Sequence, residues 1–343
     1  MMRYLFLVGL MFPIVLGGCL KPEAIGSNHE IVVVVSPATW DRFENTIRSL
    51  FGRTVVTPQV EQIFSLRIAD PEDFDFFQKF KNILLLAPLR GEDPTVALIG
   101  SLISGEVRTR VLAGRAYMFQ KRDIWAREQT LTILTGEDET ALEKHLRENG
   151  EEIFETMEAD LNEKVKAWLY EEMEQKKIEE KLLGTYGWAI RVPRDYWIDG
   201  EFPEERFLFF RKTVPDRWLF VYWEDARTQE VLTEAWCLGK RAEIGATHYN
   251  GDAIVEEYTS VTRERFLEWE AYRISGLWQN ETPASGYAAG GPFRSYCFYD
   301  EANRRIYMID IAVFAPGMSK EPYLRQLDVI AHTFRTGEAG KDR

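Results

Sequence analysis

A long amphipathic helical pattern starts at Asp138 and constrains the architecture more than any other feature of the chain. Apolar residues recur along it at steps that fit one helical face, and they are Leu142, Leu146, Ile153, Met157, Leu161, Val165 and Trp168. The pattern weakens beyond Met173, and Gly184 is expected to end it. Its short length and irregular steps favour packing on a sheet of the same chain over a coiled-coil partner surface. We therefore predict a domain boundary after residue 183.

The part of the chain before this helix shows a repeated strand and helix pattern. Ile31 to Val35 is a continuous apolar run typical of a buried strand, and Ser36-Pro37 then opens a predicted helix that extends to Phe51. Strands are again predicted at Ile83–Ala87 and Gln129–Leu134. Residues 30–183 are therefore predicted to form an α/β domain that ends in a long acidic helix.

Aromatic residues dominate the strands that follow. Seven of the ten tryptophans lie between Trp188 and Trp278. Phe207–Arg211 and Trp218–Trp223 flank a Pro-containing turn and are predicted to form a hairpin with two apolar faces. Short connections between strands, with helices at the ends, indicate a mainly antiparallel sheet in residues 184–336. The predicted class is α+β, with two α/β sandwich-like domains in which helices pack on mainly antiparallel sheets.

The N-terminus has the order of features found in an export signal. Arg3 is followed by the apolar stretch Leu5 to Leu16, and Gly17-Gly18 precede Cys19. The apolar stretch is shorter than the roughly 20 residues that a membrane span needs. The segment resembles the lipobox of bacterial lipoproteins, which implies cleavage before Cys19 and attachment of lipid to that residue. An ordinary secretory signal with an incidental cysteine is the alternative.

The lipobox resemblance implies a place in the cell. Lipid chains on Cys19 would anchor the protein to a membrane, and Leu20-Lys21 after the cysteine favours the outer membrane, facing the periplasm. The predicted organisation is a signal peptide (1–18), a lipidated tether (19–29), the two domains (30–183 and 184–336) and a polar tail (337–343).

The charge of the chain excludes one class of function. The formal net charge is -13, from 42 Lys and Arg against 55 Asp and Glu. Binding to the phosphates of a nucleic acid needs a basic stripe, so no nucleic acid partner is expected. Much of the negative charge falls in the segment from Glu137 to Lys181, which is typical of the solvated face of a helix.

Two cysteines remain after Cys19. Cys237 lies in a helical pattern and Cys297 in a strand pattern, so a disulfide would link a helix to the sheet. The cell envelope permits such a bond, and two buried free thiols are the alternative.

The sequence contains no motif typical of catalysis or metal binding. The four histidines are isolated from one another, and no phosphate loop or nucleophile elbow occurs. No catalytic residue, metal or cofactor is therefore predicted. Acid pairs such as Asp70 with Asp73, or Glu256 with Glu257, are the basis of the alternative in which the protein is a hydrolase.

The sharpest local feature of the second half is Gly290-Gly291-Pro292-Phe293. Glycine allows backbone conformations that other residues avoid, and Pro292 restricts the chain that enters the next strand. The functional interpretation is a binding loop beside Trp278, formed by Gly290, Gly291, Pro292 and Phe293. The structural interpretation is a tight connection whose Phe293 fills the core.

Several short motifs are shared with a known family. They are Gly276-Leu277-Trp278, Gly290 to Phe293, Ser295-Tyr296, Ala315-Pro316 and Leu324 to Leu327. With these motifs the chain resembles a family of uncharacterised bacterial lipoproteins, domain of unknown function 4837, over nearly all of its mature length. This resemblance implies a lipidated envelope protein and no particular activity. In the C-terminal half, Gly187 to Ile190, Pro193, Trp197 and Thr333-Phe334 loosely resemble the PsbP-like fold.

Together these features predict a membrane-anchored envelope protein of non-enzymatic function. Its expected partner is an envelope protein or a glycan. The alternatives are a hydrolase that acts on an envelope polymer through paired carboxylates, and a purely structural spacer.

Overall fold

The computed structural model describes residues 21–249, 251–280 and 289–337. The strands of its first half are β1 (Glu30–Val34), β2 (Thr54–Val55), β3 (Glu61–Gln62), β4 (Ser65–Ala69), β5 (Asn82–Leu86), β6 (Met118–Arg122) and β7 (Thr130–Leu134). The helices of this half are α1 (Pro37–Phe51), α2 (Phe74–Phe77), α3 (Pro94–Leu102), α4 (Gly105–Leu112), α5 (Glu139–Glu148), α6 (Gly150–Tyr170) and α7 (Lys176–Tyr186).

The second half contains most of the long strands. They are β8 (Trp188–Ala189), β9 (Trp197–Phe202), β10 (Phe207–Lys212), β11 (Asp216–Asp225), β12 (Ala253–Phe266), β13 (Trp269–Asn280), β14 (Ala289–Asp300), β15 (Arg305–Phe314) and β16 (Arg335–Thr336). Two helices accompany them, α8 (Glu234–His248) and α9 (Glu321–Ala331).

The first sheet has the order β4-β1-β5-β7-β6. Its pairs are parallel except for β6 with β7, which are antiparallel. Ile31 and Val33 face one apolar core, and Val32 and Val34 face another, because successive strand residues point to opposite sides. Helices on both faces cover these side chains, which explains why β1 is a continuous apolar run.

The second sheet has seven strands in the order β12-β13-β14-β15-β11-β10-β9, and every pair is antiparallel. Helix α8 packs on one face and α9 on the other. The predicted α+β class, with helices packed on sheets, is confirmed, and the second sheet is antiparallel as predicted, whereas the first sheet is mainly parallel. The parallel pairs are confined to the first sheet, where helical crossovers connect neighbouring strands.

The predicted long acidic helix is three helices, α5, α6 and α7. Asn149 separates the first two, and residues 171–175 separate α6 from α7. The expectation that Gly184 ends the segment is wrong, since Gly184 lies inside α7. Gly187 ends the helix instead, with φ of 79°, in the left-handed conformation that glycine adopts at low cost.

A single apolar core extends through both halves of the chain. It contains Ile153, Leu161 and Val165 from α6 together with Leu324 and Leu327 from α9. Helix α6 packs directly against α9. The two halves are therefore joined by buried apolar surface as well as by the polypeptide.

The start of α9 is held by the first half of the chain. The cap residue of α9 is Lys320, and its side chain accepts no hydrogen bond from the first N–H groups of the helix. A carboxylate oxygen of Glu61, on β3, accepts hydrogen bonds from the backbone N–H of Lys320 at 2.7 Å and of Glu321 at 2.8 Å. This acidic cap fits the positive end of the helix dipole.

Candidate functional site

The predicted binding loop is part of a strand pair. Gly290, Gly291, Pro292 and Phe293 belong to β14, and Trp278 on β13 lies opposite Gly291. A Cβ atom on Gly291 would overlap the carbonyl oxygen of Val313, so glycine is needed for the close approach of β15. The expectation of a loop at these residues is therefore wrong. Residues 281–288, which connect β13 to β14, lie outside the described residues.

The aromatic members of this predicted site are core residues. Trp278 is 5% exposed and Phe293 is 1% exposed. The ring of Trp278 lies 5.2 Å from that of Trp218, edge on. Phe293 fills the core between the sheet and α8, as the structural interpretation of the motif expects. The aromatic side chains are therefore not available as an exposed stacking surface.

A buried ion cluster lies beside Phe293. The Arg241 guanidinium is centred 4.8 Å from the Phe293 ring. It donates to Asp310 at 2.9 Å and to Asp252 at 3.0 Å, and all three side chains are almost fully buried. Burial raises the pKa of Asp310 to about 6, although Arg241 and the Ser295 hydroxyl act in the opposite direction. The cluster ties α8 to the centre of the sheet.

The two cysteines meet between α8 and β14. Cys237 and Cys297 are both buried and both free thiols in the structure. Burial, together with a hydrogen bond between the two thiols, raises the pKa of Cys297 well above its usual value. Helix α8 and strand β14 bring the two side chains together. A disulfide between them stays a prediction.

The acid pairs behind the hydrolase alternative are not arranged as catalytic pairs. Asp70 caps a short turn by accepting from the backbone N–H of Glu72 at 2.9 Å. Glu256 and Glu257 are adjacent exposed residues of β12, the edge strand of the sheet. Among the described residues, no group of three or more His, Cys, Asp or Glu side chains is placed to hold a metal ion.

A cleft lies between the two halves of the chain. Its volume is about 720 Å³, which is within the usual range of ligand sites. One wall is α6, the other is α9, and the floor is formed by β12, β13 and β14. We call it the inter-domain cleft. Its lining is mostly polar and includes Arg53, Glu158, Asn162, Lys166, Ser260, Glu264, Arg273, Ser275, Arg294, Tyr296, Arg325 and Asp328.

The floor of the inter-domain cleft is built by the strand register. Arg273 and Ser275 are two residues apart on β13 and therefore share one face of the sheet. Ser275 lies opposite Arg294, and Arg273 lies opposite Tyr296. Directly opposed residues of an antiparallel pair have Cβ atoms about 5 Å apart. Two guanidinium groups, a hydroxyl and a phenol thus meet on the floor of the cleft.

Asp328 on α9 organises one side of this floor. It accepts from the Arg294 guanidinium at 2.7 Å and from the Tyr296 hydroxyl at 2.6 Å. Burial disfavours the charged carboxylate, but the charge of Arg294 and these hydrogen bonds hold the pKa of Asp328 at about 2. Asp328 is therefore ionised at neutral pH and fixes the orientation of both partners.

Arg325 joins the two walls. From α9 it donates to Glu321 at 2.6 Å on its own helix. It also donates to Asn162 at 2.6 Å and to Glu158 at 3.0 Å, both on α6. Its side chain is only 8% exposed, so these are largely desolvated charge-assisted bonds. They set the spacing of the walls.

Three donor atoms at the floor have no hydrogen-bond partner among the described residues. They are Arg273 Nε, Ser275 Oγ and Arg294 Nε. A buried donor without a partner costs about 1–3 kcal/mol, and buried polar groups are normally paired. The floor is therefore chemically unsatisfied by the protein alone. All three atoms are themselves buried, so they are hydrogen-bonding capacity that the protein alone leaves unused.

This cleft was not predicted from the sequence. Its signal in the sequence is the alternation of polar residues along two strands, Arg273-x-Ser275 and Arg294-x-Tyr296. Alternation alone also describes a solvent-exposed strand face. The contribution of α9 and α6 depends on contacts between distant parts of the chain, which no local pattern shows.

Comparison with known families identifies the second half. Residues 174–333 match the family model of the domain of unknown function DUF4837. These residues form a DUF4837 domain. The resemblance seen in the sequence is confirmed for this half, whereas residues 24–168 match a different model, the domain of unknown function DUF8532. The inter-domain cleft therefore lies where the DUF4837 domain meets its neighbour.

Similar solved structures come from three organisms. A protein of Bacteroides thetaiotaomicron is 12% identical, with a TM-score of 0.27, over 46% of this chain and 47% of that one, about half its length. The Ran-binding protein Mog1p of Saccharomyces cerevisiae is 13% identical, with a TM-score of 0.30, over 45% of this chain and 93% of its own. LpqN of Mycobacterium tuberculosis, described as involved in cell envelope biogenesis, is 9% identical, with a TM-score of 0.27, over 44% of this chain and 83% of its own.

These likenesses to solved structures are weak, with TM-scores of 0.30 or less. No curated protein matches the sequence. No helix among the described residues is long and apolar enough to cross a membrane.

Proposed function

We propose that the protein is a lipid-anchored protein of the cell envelope that binds an envelope glycan or protein without catalysing a reaction on it. The inter-domain cleft is the proposed binding site. The observation that carries this proposal is the set of unpaired donors on its floor, Arg273 Nε, Ser275 Oγ and Arg294 Nε. A ligand with acceptor oxygens would satisfy them once the side chains of the floor shift to expose these buried atoms.

Of the two partner classes, the lining of the cleft favours a glycan. A protein partner usually fills pockets with apolar or aromatic side chains at the centre of its interface. The lining here is instead mostly polar, and Lys166 on the α6 wall is a polar group that suits hydroxyl-rich ligands. A volume of about 720 Å³ fits a short chain segment better than the surface of a folded protein.

The ion pairing in the cleft argues against hydrolysis. A glycoside hydrolase needs one carboxyl that stays protonated and a second that is free to act on the substrate. Asp328, with a pKa of about 2, is ionised and bonded to Arg294 and Tyr296. Glu158 and Glu321 are bonded to Arg325. These carboxylates are already hydrogen-bonded to side chains that shape the cleft.

The proposed location depends on Cys19. The segment from Arg3 to Cys19 has the features of a lipoprotein signal, and Leu20-Lys21 favours the outer membrane facing the periplasm. A lipid anchor would hold the binding domain close to envelope polymers.

Binding is tested by titrating the full chain in detergent micelles with soluble peptidoglycan fragments, using calorimetry. The double variant Arg273→Gln, Ser275→Ala is expected to bind about tenfold more weakly or worse, because two donors are lost. The control is Arg53→Gln, which removes a cation from the same cleft but leaves the floor unchanged. Equal affinities for the wild type and the double variant would contradict the proposed site.

The protein partner class is tested on the same variants. Native envelopes are crosslinked and the lipidated chain is captured with its neighbours. Loss of one specific protein from the double variant, without any binding of glycan fragments, would replace the glycan by a protein partner at the same cleft.

A further inference from the structure

The segment that follows Cys19 is fixed to the first domain. The N–H of Ala24 donates to the carbonyl oxygen of Arg127 at 3.0 Å, and the N–H of Ile25 donates to that of Lys79 at 3.0 Å. The carbonyl oxygen of Ile25 accepts from the N–H of Lys81 at 2.9 Å. The predicted tether at 19–29 is therefore not a free linker over its described part, since it adds backbone bonds to the edge of the domain.

These bonds limit how far lipid on Cys19 can lie from the domain. Cys19 precedes Lys21, the first described residue, by two positions. Two residues span at most about 7 Å when fully extended. Lipid attached to Cys19 would therefore join the chain within about 7 Å of Lys21, on the segment that leads to Ile25.

An exposed apolar surface lies at this edge. Ile25 is 53% exposed and Phe76 is 71% exposed. Phe80 forms a bridge with Ile25 through the backbone. Its ring lies 6.3 Å from that of Phe76 and 5.4 Å from that of Phe77, and the latter two rings are 4.9 Å apart. We call Ile25, Phe76, Phe77 and Phe80 the apolar edge.

We infer that the apolar edge is a membrane-contacting surface, which inserts into the bilayer beside the lipid chains on Cys19. This inference rests on the lipidation included in the proposed function. Transfer of apolar side chains out of water lowers the free energy, and Phe and aliphatic side chains form the buried face of segments that lie in a membrane interface. The anchor positions the edge, and the edge in turn fixes how the protein is oriented on the membrane.

The charges around the apolar edge indicate which lipids matter. Lys79 and Arg127 are exposed there, and so are Glu23 and Asp75. Charges of both signs provide no net attraction to anionic lipids. Contact with the membrane should therefore depend on the apolar side chains and be insensitive to salt and to the fraction of anionic lipid.

The test places a polarity-sensitive dye at the edge. Phe76→Cys and, separately, Ile25→Cys are labelled with a nitrobenzoxadiazole dye in the full lipidated chain, which is reconstituted in phosphatidylcholine vesicles. Cys237 and Cys297 are buried and do not compete for the label in the folded protein. The matched control is Val214→Cys, which is 90% exposed and lies in the second domain.

The expected result is a shift of the dye emission to shorter wavelength at positions 76 and 25, with no shift at position 214. The same shift is expected when part of the phosphatidylcholine is replaced by phosphatidylglycerol. Emission at both edge positions that is unchanged by vesicles would overturn the inference. A shift at position 214 alone would also overturn it, because the opposite orientation would then hold.

Failure of the anchor is distinguished by a separate measurement. Mass spectrometry of the N-terminal peptide reports whether Cys19 carries lipid. An unmodified Cys19 would refute both the anchor and the membrane contact. A lipidated Cys19 with a water-exposed dye at positions 76 and 25 would refute the membrane contact alone.

Discussion

Glu61 caps a helix that begins 260 residues later in the sequence, where the N–H of Glu321 donates to its side chain at 2.8 Å. The capping residue and the helix belong to different halves of the chain. This bond, together with the one from Lys320, fixes the end of the wall that carries Arg325 and Asp328. The geometry of the inter-domain cleft therefore depends on a contact across the domain junction.

The first prediction concerns this cap. Glu61→Ala is expected to lower the free energy of unfolding by about 1–2 kcal/mol, because two N–H groups at the helix start lose their acceptor. Chemical denaturation at neutral pH measures the loss. Gln62→Ala, on the neighbouring exposed residue, is the control and should change stability by much less. Equal effects of the two substitutions would show that the cap contributes nothing.

The second prediction concerns pH. The pKa of Asp328 is lowered to about 2, so its contribution to stability is present above the unfolded value of 3.8 and is lost as the pH falls towards 2. This contribution is about 2 kcal/mol. Asp328→Asn should therefore be less stable than the wild type at pH 7, with a shallower loss of stability between pH 4 and pH 2. Parallel pH profiles for the two proteins would disagree with this assignment.

The third prediction concerns the buried ion cluster. Arg241→Met is expected to cost about 3–5 kcal/mol of folding stability, because it leaves the carboxylates of Asp252 and Asp310 buried without their cation. Adding Asp252→Asn and Asp310→Asn to this variant should recover part of the loss, since no buried charge then remains. Thermal or chemical unfolding of the single and triple variants provides the comparison. A triple variant weaker than the single one would be the contrary outcome.

The fourth prediction concerns the cysteines. In the folded chain neither Cys237 nor Cys297 should react with a thiol reagent, because both side chains are 0% exposed. After denaturation without reductant, two reactive thiols would indicate reduced Cys237 and Cys297 with a blocked Cys19. No reactive thiol would indicate the disulfide. Rapid reaction in the native state would contradict the burial of the pair.

Local chemistry explains which parts of the fold could be predicted. The helix predicted to open at Ser36-Pro37 begins at Pro37, where the Ser36 side chain accepts from the N–H of Thr39. The predicted hairpin is present as β10 and β11, and its two apolar faces are covered by separate cores that contain Trp218 on one side and Leu219 on the other. Caps, turns and two-sided apolar strands are properties of neighbouring residues, so the sequence displays them directly.

Long-range contacts explain why some predictions from the sequence were wrong. Gly290 and Gly291 suggest a loop in isolation, yet in the sheet Gly291 lets β15 approach closely at Val313. The candidate site shows the same limit. Arg273 and Arg294 become neighbours only through strand pairing, and Asp328 reaches Arg294 only after α9 has packed.

Because both halves share one apolar core, the segments that the two family models match differ from the unit that folds. The matches to two family models meet between residues 168 and 174, yet α6 on one side of that junction packs against α9 on the other. A gene fragment that encodes either half would leave Leu161 or Leu324 facing water. Recombination that exchanges one half for a relative's would thus succeed only when the apposed faces of α6 and α9 are exchanged as matched surfaces.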